Sequence, residues 1–440
     1  MRRAVLLGGL ALLAAWSTLQ APLSGDATTH LYLAHSFLVD GDADLSEFAD
    51  APQPFVFNAL PASGGLYSPY LPGNALLFVP FELAAVLAGI APVSFLHVAV
   101  LAKLAASLAV AGSVALVYRT LRLVARERVA LFLTFAYSFG SAALASASQR
   151  YWQHGPTLLL VAAVLYVLGR GRGSAAGGAR SGLLVGLAVL VRPMSALFGL
   201  AVLAFLAHRR RAAVPRFLLW GLPPLAFLVV YDWWILGSPL RLPGEAVTFG
   251  LPFEGVLGLL VSPSRGLFVY APYLSVAFVA LAAAWRHPAD DLGWLVRYGA
   301  LGAAATVLLF GSYSEWIGGW GYGNRYLSDL LPLYLLAIAA VWDRWLAGTW
   351  ARRAFAVAVG WAVLLAGAGA GLYYTTWEGR HWDATPDIGA TPWRVWSWTD
   401  AQWEWVLARL VLAPPAQLVL EAVTLAGCAL VYVRLARRAA

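Results

Sequence analysis

The sequence predicts an all-α, polytopic integral membrane protein, a bundle of about twelve transmembrane helices with outer-face loops and interfacial helices. Three observations predict it. Of 440 residues, 61% are hydrophobic and only 12% charged, and the mean hydropathy is +0.71. A soluble domain carries about 25% charged residues, so half that share leaves too few to face water. Apolar runs of membrane-spanning length recur along the whole chain. The net charge of +8 is confined to short basic clusters between those runs. That distribution suits cytoplasmic loops against anionic head groups and excludes a basic nucleic-acid surface.

The clusters lie at Arg2/Arg3, Arg119 to Arg128, Arg170 to Arg180, Arg209 to Arg216, Arg344 to Arg353 and Arg434 to Arg438. If all are cytoplasmic, an even number of crossings separates each from the next. Three apolar runs, 4–20, 74–90 and 93–118, lie between the first two clusters. The middle one contains Pro80 and Glu82 and no flanking charge. It is read as a helix in the outer interface that does not span. The run 182–207 has basic clusters on both sides and Arg192-Pro193 at its middle. A single helix would break parity and bury an arginine at the bilayer centre, at several kcal/mol. A hairpin of two half-length helices with Arg192-Pro193 at its apex solves both problems. Such backbone is tolerated only beside protein or a water-filled cavity, so the apex is expected in a cavity open to the outer face.

The remaining crossings are expected at 129–147, 157–168, 217–235, 267–285, 294–312, 326–342, 354–374 and 410–433. This topology places the protein in the plasma membrane with both termini cytoplasmic. The start, Met1-Arg2-Arg3 before an apolar stretch, reads as an uncleaved first helix rather than a signal peptide, since no clean small-x-small cleavage site follows. The Gly- and Ser-rich stretch 171–178 reads as a cytoplasmic linker. Residues 1–374, including the outer loop 21–73, form one transmembrane module, and 375–440 a Trp-rich outer segment with the last span. No internal repeat is evident. Cys428 stands alone, so neither a disulfide nor a cysteine metal site can form within the chain.

The outer loop opens with Ser24-Gly25-Asp26 just past the first span. Asp26 has two readings, a general base toward an acceptor hydroxyl and the N-cap of a helix beginning near Thr28. The loop continues through Ala34-His35-Ser36, Asp40-Gly41-Asp42-Ala43-Asp44-Leu45 and Gly65-Leu66-Tyr67-Ser68-Pro69-Tyr70-Leu71-Pro72-Gly73. Further on stand Gly186-Leu187 before Arg192-Pro193, Tyr231 before Gly237-Ser238-Pro239-Leu240, Ser262-Pro263-Ser264-Arg265-Gly266-Leu267, and Gly321-Tyr322-Gly323-Asn324-Arg325-Tyr326-Leu327. In this order the elements resemble the GT-C glycosyltransferases of the protein mannosyltransferase and aminoarabinose transferase type. The likeness runs from residue 1 to about residue 340.

The resemblance implies a GT-C-type bundle and a membrane glycosyltransferase, hexosyl or pentosyl, with an active site facing outside. Its donor would be a polyprenyl-phosphate-linked sugar and its acceptor the hydroxyl of an envelope glycan, lipid or protein. Transfer inverts the sugar, with Asp26 as the base. No cofactor is required, although a divalent cation remains compatible. The chain departs from the family at Ala27, where a second carboxylate is common, and at Pro69, where a lysine often meets the lipid phosphate. Other cations must then hold an anionic donor, and Arg150, Arg192, Arg265 and Arg325 are the outer arginines, suited to bidentate phosphate binding. Each has the alternative reading of an interfacial arginine snorkelling to head groups. Tyr67 and Tyr70 are candidate cavity liners, and Gln149-Arg150-Tyr151-Trp152-Gln153-His154 reads as a short polar outer loop near the cavity.

Lys103 is the only lysine, about ten residues into the second span. It reads as a functional group or as a structural pair with Glu82. His35 reads as a substrate-positioning group or a satisfied interfacial histidine, as does His30. The Asp40, Asp42, Asp44 triplet reads as a solvated turn, since a calcium loop wants more oxygens and a bidentate end. Tryptophans 377, 382, 393, 396, 398, 403 and 405 read as interfacial anchors or as a sugar-stacking surface. The alternative function is a transporter or flippase of a lipid-linked or anionic substrate, which needs the same cavity without the acid. A non-catalytic scaffold is a third reading. No nucleic-acid partner is expected.

Overall fold

A computed structural model describes residues 1–18, 24–51, 57–171, 175–238, 248–285, 290–319, 321–373, 387–411 and 413–439. Pro239, Leu240, Trp377, Trp382 and residues 172–174 of the linker lie outside the described residues. The first span is α1 (Arg2–Ser17). After it come α2 (Gly25–His35), an antiparallel hairpin of β1 (Leu60–Ala62) and β2 (Gly65–Tyr67), and then α3 (Gly73–Leu87), the run expected in the interface. Ser63 and Gly64 turn the hairpin with φ of 46° and 84°, the left-handed pair that a two-residue hairpin turn needs. Asp44 accepts from the Ser46 and Leu66 backbone N–H groups and the Ser46 hydroxyl, so the aspartate triplet is a turn pinned to β2.

The next spans are α4 (Ala102–Leu121), entered through a π-turn at Leu96–Leu101, α5 (Glu127–Phe139) and α6 (His154–Arg170). The run 182–207 is a helix pair, α7 (Ala175–Val191) and α8 (Ser195–Arg209), broken at Arg192-Pro193 as expected. The arms are not half-length. Seventeen and fifteen residues give about 25 and 22 Å. They also diverge: α7 packs on α9 (Val214–Leu236), and α8 on α13 (Asp291–Ser312). Gly178, Gly182 and Gly186, four residues apart, set the first contact. A Cβ on Gly182 would stand 2.1 Å from the Phe217 carbonyl oxygen, so only this small-residue face permits the backbones to touch.

The expected span 267–285 is broken at Pro272, which cannot donate to a helix. It consists of α11 (Leu267–Tyr270), a 3₁₀ turn and α12 (Ser275–Ala283), preceded by α10 (Phe253–Val261). Helix α14 (Leu331–Trp345) starts five residues later than expected, after an Asn324-anchored turn, and is buried on all sides from Leu331 to Ala339. It is the central rod of the bundle. The chain closes with α15 (Thr349–Ala368), α16 (Gln402–Ala408) and α17 (Pro415–Arg438). Helices α9 and α17 leave Leu219, Val230, Val419 and Val423 exposed. A perimeter this apolar is what a lipid-facing surface requires, and the protein is a membrane protein.

Among the described residues the basic clusters fall at one end of the bundle, with Trp342, just before Arg344, packed on Phe132 near the start of α5. Arg3 pairs with Glu127, Arg128 donates to the Ala436 carbonyl, and Arg119 and Arg170 both meet Tyr166. Arg210 donates to the Leu168 carbonyl and pairs with Asp291. Helices α6, α7, α8, α13 and α14 then run to the opposite end, where His154, Arg192, Ser195, Tyr313 and Asp329 stand. Among the described residues, five helices are long and apolar enough to cross a membrane, including α9, α13 and α17.

Candidate active site

At that opposite end lies a cavity of about 290 Å³, lined by residues from the outer loop, the α5–α6 connection, the α7–α8 break, the end of α13 and the turn before α14. Asp26 occupies the first turn of α2, and its side chain does not cap the helix. Its Oδ1 instead accepts from the Tyr70 hydroxyl at 2.6 Å and from Asn58 Nδ2 at 3.0 Å. Asn58 Nδ2 also lies 2.6 Å from the Tyr70 oxygen, closing a three-member ring of contacts. Burial, then the Asp26 charge and its hydrogen bond, push the Tyr70 phenol well above its ordinary pKa, so it remains a donor. Beneath the carboxylate, His30 is fully enclosed. Burial lowers its pKa to about 4 against the opposing pull of Asp26, so it is neutral at pH 7.

Arg192 lines the opposite wall at the break between α7 and α8. Its Nε pairs with Asp329 Oδ2 at 3.0 Å, and His154 Nδ1 lies 2.8 Å from Asp329 Oδ1. Arg192 Nη1 stands 2.8 Å and 3.1 Å from the two ring nitrogens of His154. An in-plane nitrogen at those distances would collide with Cε1, so the guanidinium lies over the imidazole face. The proton on Nδ1 then goes to Asp329. The same guanidinium rests 5.5 Å from the Phe310 ring, which is stacked on Tyr326. Arg325 completes the cavity, 5.5 Å from the Trp152 ring centroid and 5.3 Å from that of Tyr326. Trp152 carries Arg150 near it as well, at 4.9 Å, and donates Nε1–H to Ser24 Oγ beside Asp26.

Of the residues singled out in the sequence, Asp26, Tyr70, Arg192, Arg325 and His30 meet in this cavity. The others do not line it. Arg265 is buried behind the wall, its guanidinium bonded to the Gly319 and Gly321 carbonyls and to Gln402. Arg150 is buried beside Trp152. Tyr67 sits in β2, facing the charges of Asp44 and Asp42. His35 Nδ1 is 2.8 Å from Glu82, whose other oxygen meets His97 Nε2. Glu82 is thus the partner of two histidines and not of Lys103. Lys103 Nζ donates to Thr18 Oγ1 at 2.8 Å and feels the charge of Glu421 on α17. The pairing expected for it fails because His35 and His97 take up both oxygens of Glu82, while Lys103 meets Thr18 at the end of the first span.

Asn58 and Asp329 complete the site without having been singled out, and His154 joins them from the polar stretch 149–154. Asp329 carried a usable signal, an ionisable residue at the mouth of an apolar span. Asn58 carried none. Among the described residues no group of three or more His, Cys, Asp or Glu side chains is arranged to hold a metal ion.

The fold has known counterparts. ArnT from Cupriavidus metallidurans, in a structure bound to undecaprenyl phosphate, is similar over 98% of this chain and 75% of its own, with a TM-score of 0.57 and 14% identity. The apo structure of the same protein gives 0.55 at 14% identity, over the same shares of the two chains. The Archaeoglobus fulgidus oligosaccharyltransferase is more distant, at 0.46 and 12% identity, over 89% of this chain and 58% of its own. The chain therefore has the membrane fold of the GT-C type. No family model matches the sequence, and no curated protein does.

Proposed function

We propose that the protein is a membrane glycosyltransferase that moves a sugar from a polyprenyl-phosphate donor to an acceptor hydroxyl at the end of the bundle facing away from the cytoplasm. One observation carries the reading. A carboxylate fixed by two donors, Asp26, shares a cavity with two guanidiniums, Arg192 and Arg325, at the end opposite the basic clusters. The solved relative that binds undecaprenyl phosphate supports the donor class.

In this reading Asp26 Oδ2 accepts the proton of the acceptor hydroxyl as its oxygen attacks the anomeric carbon. The bond from that carbon to the phosphate oxygen breaks, and polyprenyl phosphate leaves with the electron pair. Arg325 receives the growing negative charge, and Arg192 adds its field while Asp329 holds it in place. Tyr70 and Asn58 occupy Oδ1, which leaves Oδ2 as the basic oxygen. Asp26→Asn keeps the size and both contacts but cannot take a proton. Purified protein given a panel of polyprenyl-phosphate sugars and envelope extract should release polyprenyl phosphate, and the variant should lose about 10³-fold in turnover with donor binding retained. Unchanged turnover would remove Asp26 as the base. For orientation, a cysteine at Asp42 should react with an impermeant reagent added outside intact cells, and one at Arg437 should not. The reverse labelling would invert the topology.

A further inference from the structure

The turn ahead of Arg325 carries four glycines between residues 318 and 323. Gly318, Gly319 and Gly323 have φ of 80°, 56° and 63°, a backbone that only glycine adopts freely and that is costly in entropy to hold in one shape. Tyr322 and Asn324 tie it to the Leu365, Leu259 and Arg265 carbonyls, and two further side chains clamp its backbone. The Gly319 and Gly321 carbonyls accept from Arg265, at 2.8 and 2.5 Å. Gln402, fully buried on α16, accepts the Gly323 N–H at 2.8 Å and donates Nε2–H to the Gly321 carbonyl at 3.1 Å. Its Oε1 also accepts from Arg265 Nη1 at 2.8 Å and from the Tyr270 hydroxyl at 3.2 Å, and its own backbone N–H donates to Ser264 Oγ at 3.0 Å. One amide thus joins Gly321 and Gly323 to Arg265, the other clamp.

Arg325 lies across that turn. A Cβ placed on Gly321 would come within 3.0 Å of Arg325 Cδ, and one on Gly318 within 3.4 Å of Nε. The stem of the arginine rests on the glycine backbone, so the height of the turn sets how far the guanidinium reaches into the cavity. We propose that Gln402 is a positioning residue for Arg325, so that the tryptophan-rich segment, distant in sequence, tunes the affinity of the site for the donor phosphate. The inference rests on the proposed donor site.

Undecaprenyl phosphate is the probe, titrated into the full chain in nanodiscs and followed by tryptophan fluorescence. Gln402→Leu keeps the bulk and removes every side-chain hydrogen bond; it should weaken binding about tenfold, whereas Gln402→Glu, which retains the acceptors, should stay within about threefold. Arg325→Ala should lose the phosphate contact, and adding Gln402→Leu to it should cost nothing more, because the glutamine acts through the arginine. If Gln402→Leu does not fold, Ser264→Ala, which loosens only the Gln402 backbone N–H, carries the same test with an expected weakening of about threefold. Wild-type affinity in the folded variant tested, or a full additional loss on the Arg325→Ala background, overturns the positioning role. Equal binding by wild type and Arg325→Ala sinks the donor-site reading instead.

Discussion

Asp329→Ala tests the polar construction of the site most directly. Asp329 and Arg192 are 7% and 6% exposed, and their charges stand 3.0 Å apart. At an effective dielectric of about 20, two unit charges at that distance attract by about 5 kcal/mol. Water reaching Arg192 from the cavity restores part of its solvation after the carboxylate is removed. The expected net loss is therefore near 3 kcal/mol, the lower end of the range for breaking a buried pair. His154 loses its acceptor in the same variant, whereas Asp329→Asn keeps an acceptor and loses only the charge, so its loss should be smaller. The double variant Arg192→Ala/Asp329→Ala leaves no buried charge behind and should cost well under the sum of the two single changes. Unfolding in mixed micelles with increasing SDS, followed by tryptophan fluorescence, measures each term. A loss below about 1 kcal/mol for Asp329→Ala, or strict additivity in the double variant, would refute the pairing as the support of Arg192.

Three further outcomes are expected. Tyr70→Phe deletes the 2.6 Å hydrogen bond to Asp26, worth about 1.5–3 kcal/mol for a charged acceptor; turnover should fall about 10- to 100-fold with donor binding intact, and a change within twofold would exclude Tyr70 from orienting the base. His30 is held neutral with a pKa lowered to about 4, so the unfolded chain binds the extra proton between about 6.5 and 4. Its stabilisation is full above pH 6.5 and is lost as pH falls toward 4, by about 3 kcal/mol. His30→Leu should flatten that limb of the pH–stability curve, and an unchanged limb would place the acid sensitivity elsewhere. Gly182→Val drives a side chain into the Phe217 carbonyl and should lower the unfolding temperature by the equivalent of about 2–3 kcal/mol; unaltered melting would mean that α7 and α9 are not in backbone contact.

The chamber is polar and apolar in turn. Its walls combine the Phe310–Tyr326 stack and Trp152 with two guanidiniums and one carboxylate. Aromatic faces suit a sugar ring, while the cations suit a phosphate. The transporter reading uses the cavity and the arginines but gives no role to the ring of contacts that leaves one oxygen of Asp26 open. A base has use for that oxygen.

Much of this protein was determined by its sequence alone. Hydropathy and basic clusters specify the spans and their common face, because each span must satisfy its own backbone in lipid and cations gather at one side. Arg192-Pro193 announced a broken helix for the same reason. Asp26 was legible from its place just past the first span, and Arg325 from its glycine-rich turn. Tertiary structure decided the partners. Asp329 and Arg192 are far apart in the chain, as are Gln402 and Gly323, Lys103 and Glu421, and Asn58 and Asp26. Which polar groups meet depends on how α3, α7, α14 and α17 pack around one another, and that packing follows from side-chain shape and glycine contacts that carry no periodic signal. The same packing withdrew Arg265 and Arg150 from the cavity, since a buried arginine goes wherever the fold supplies acceptors.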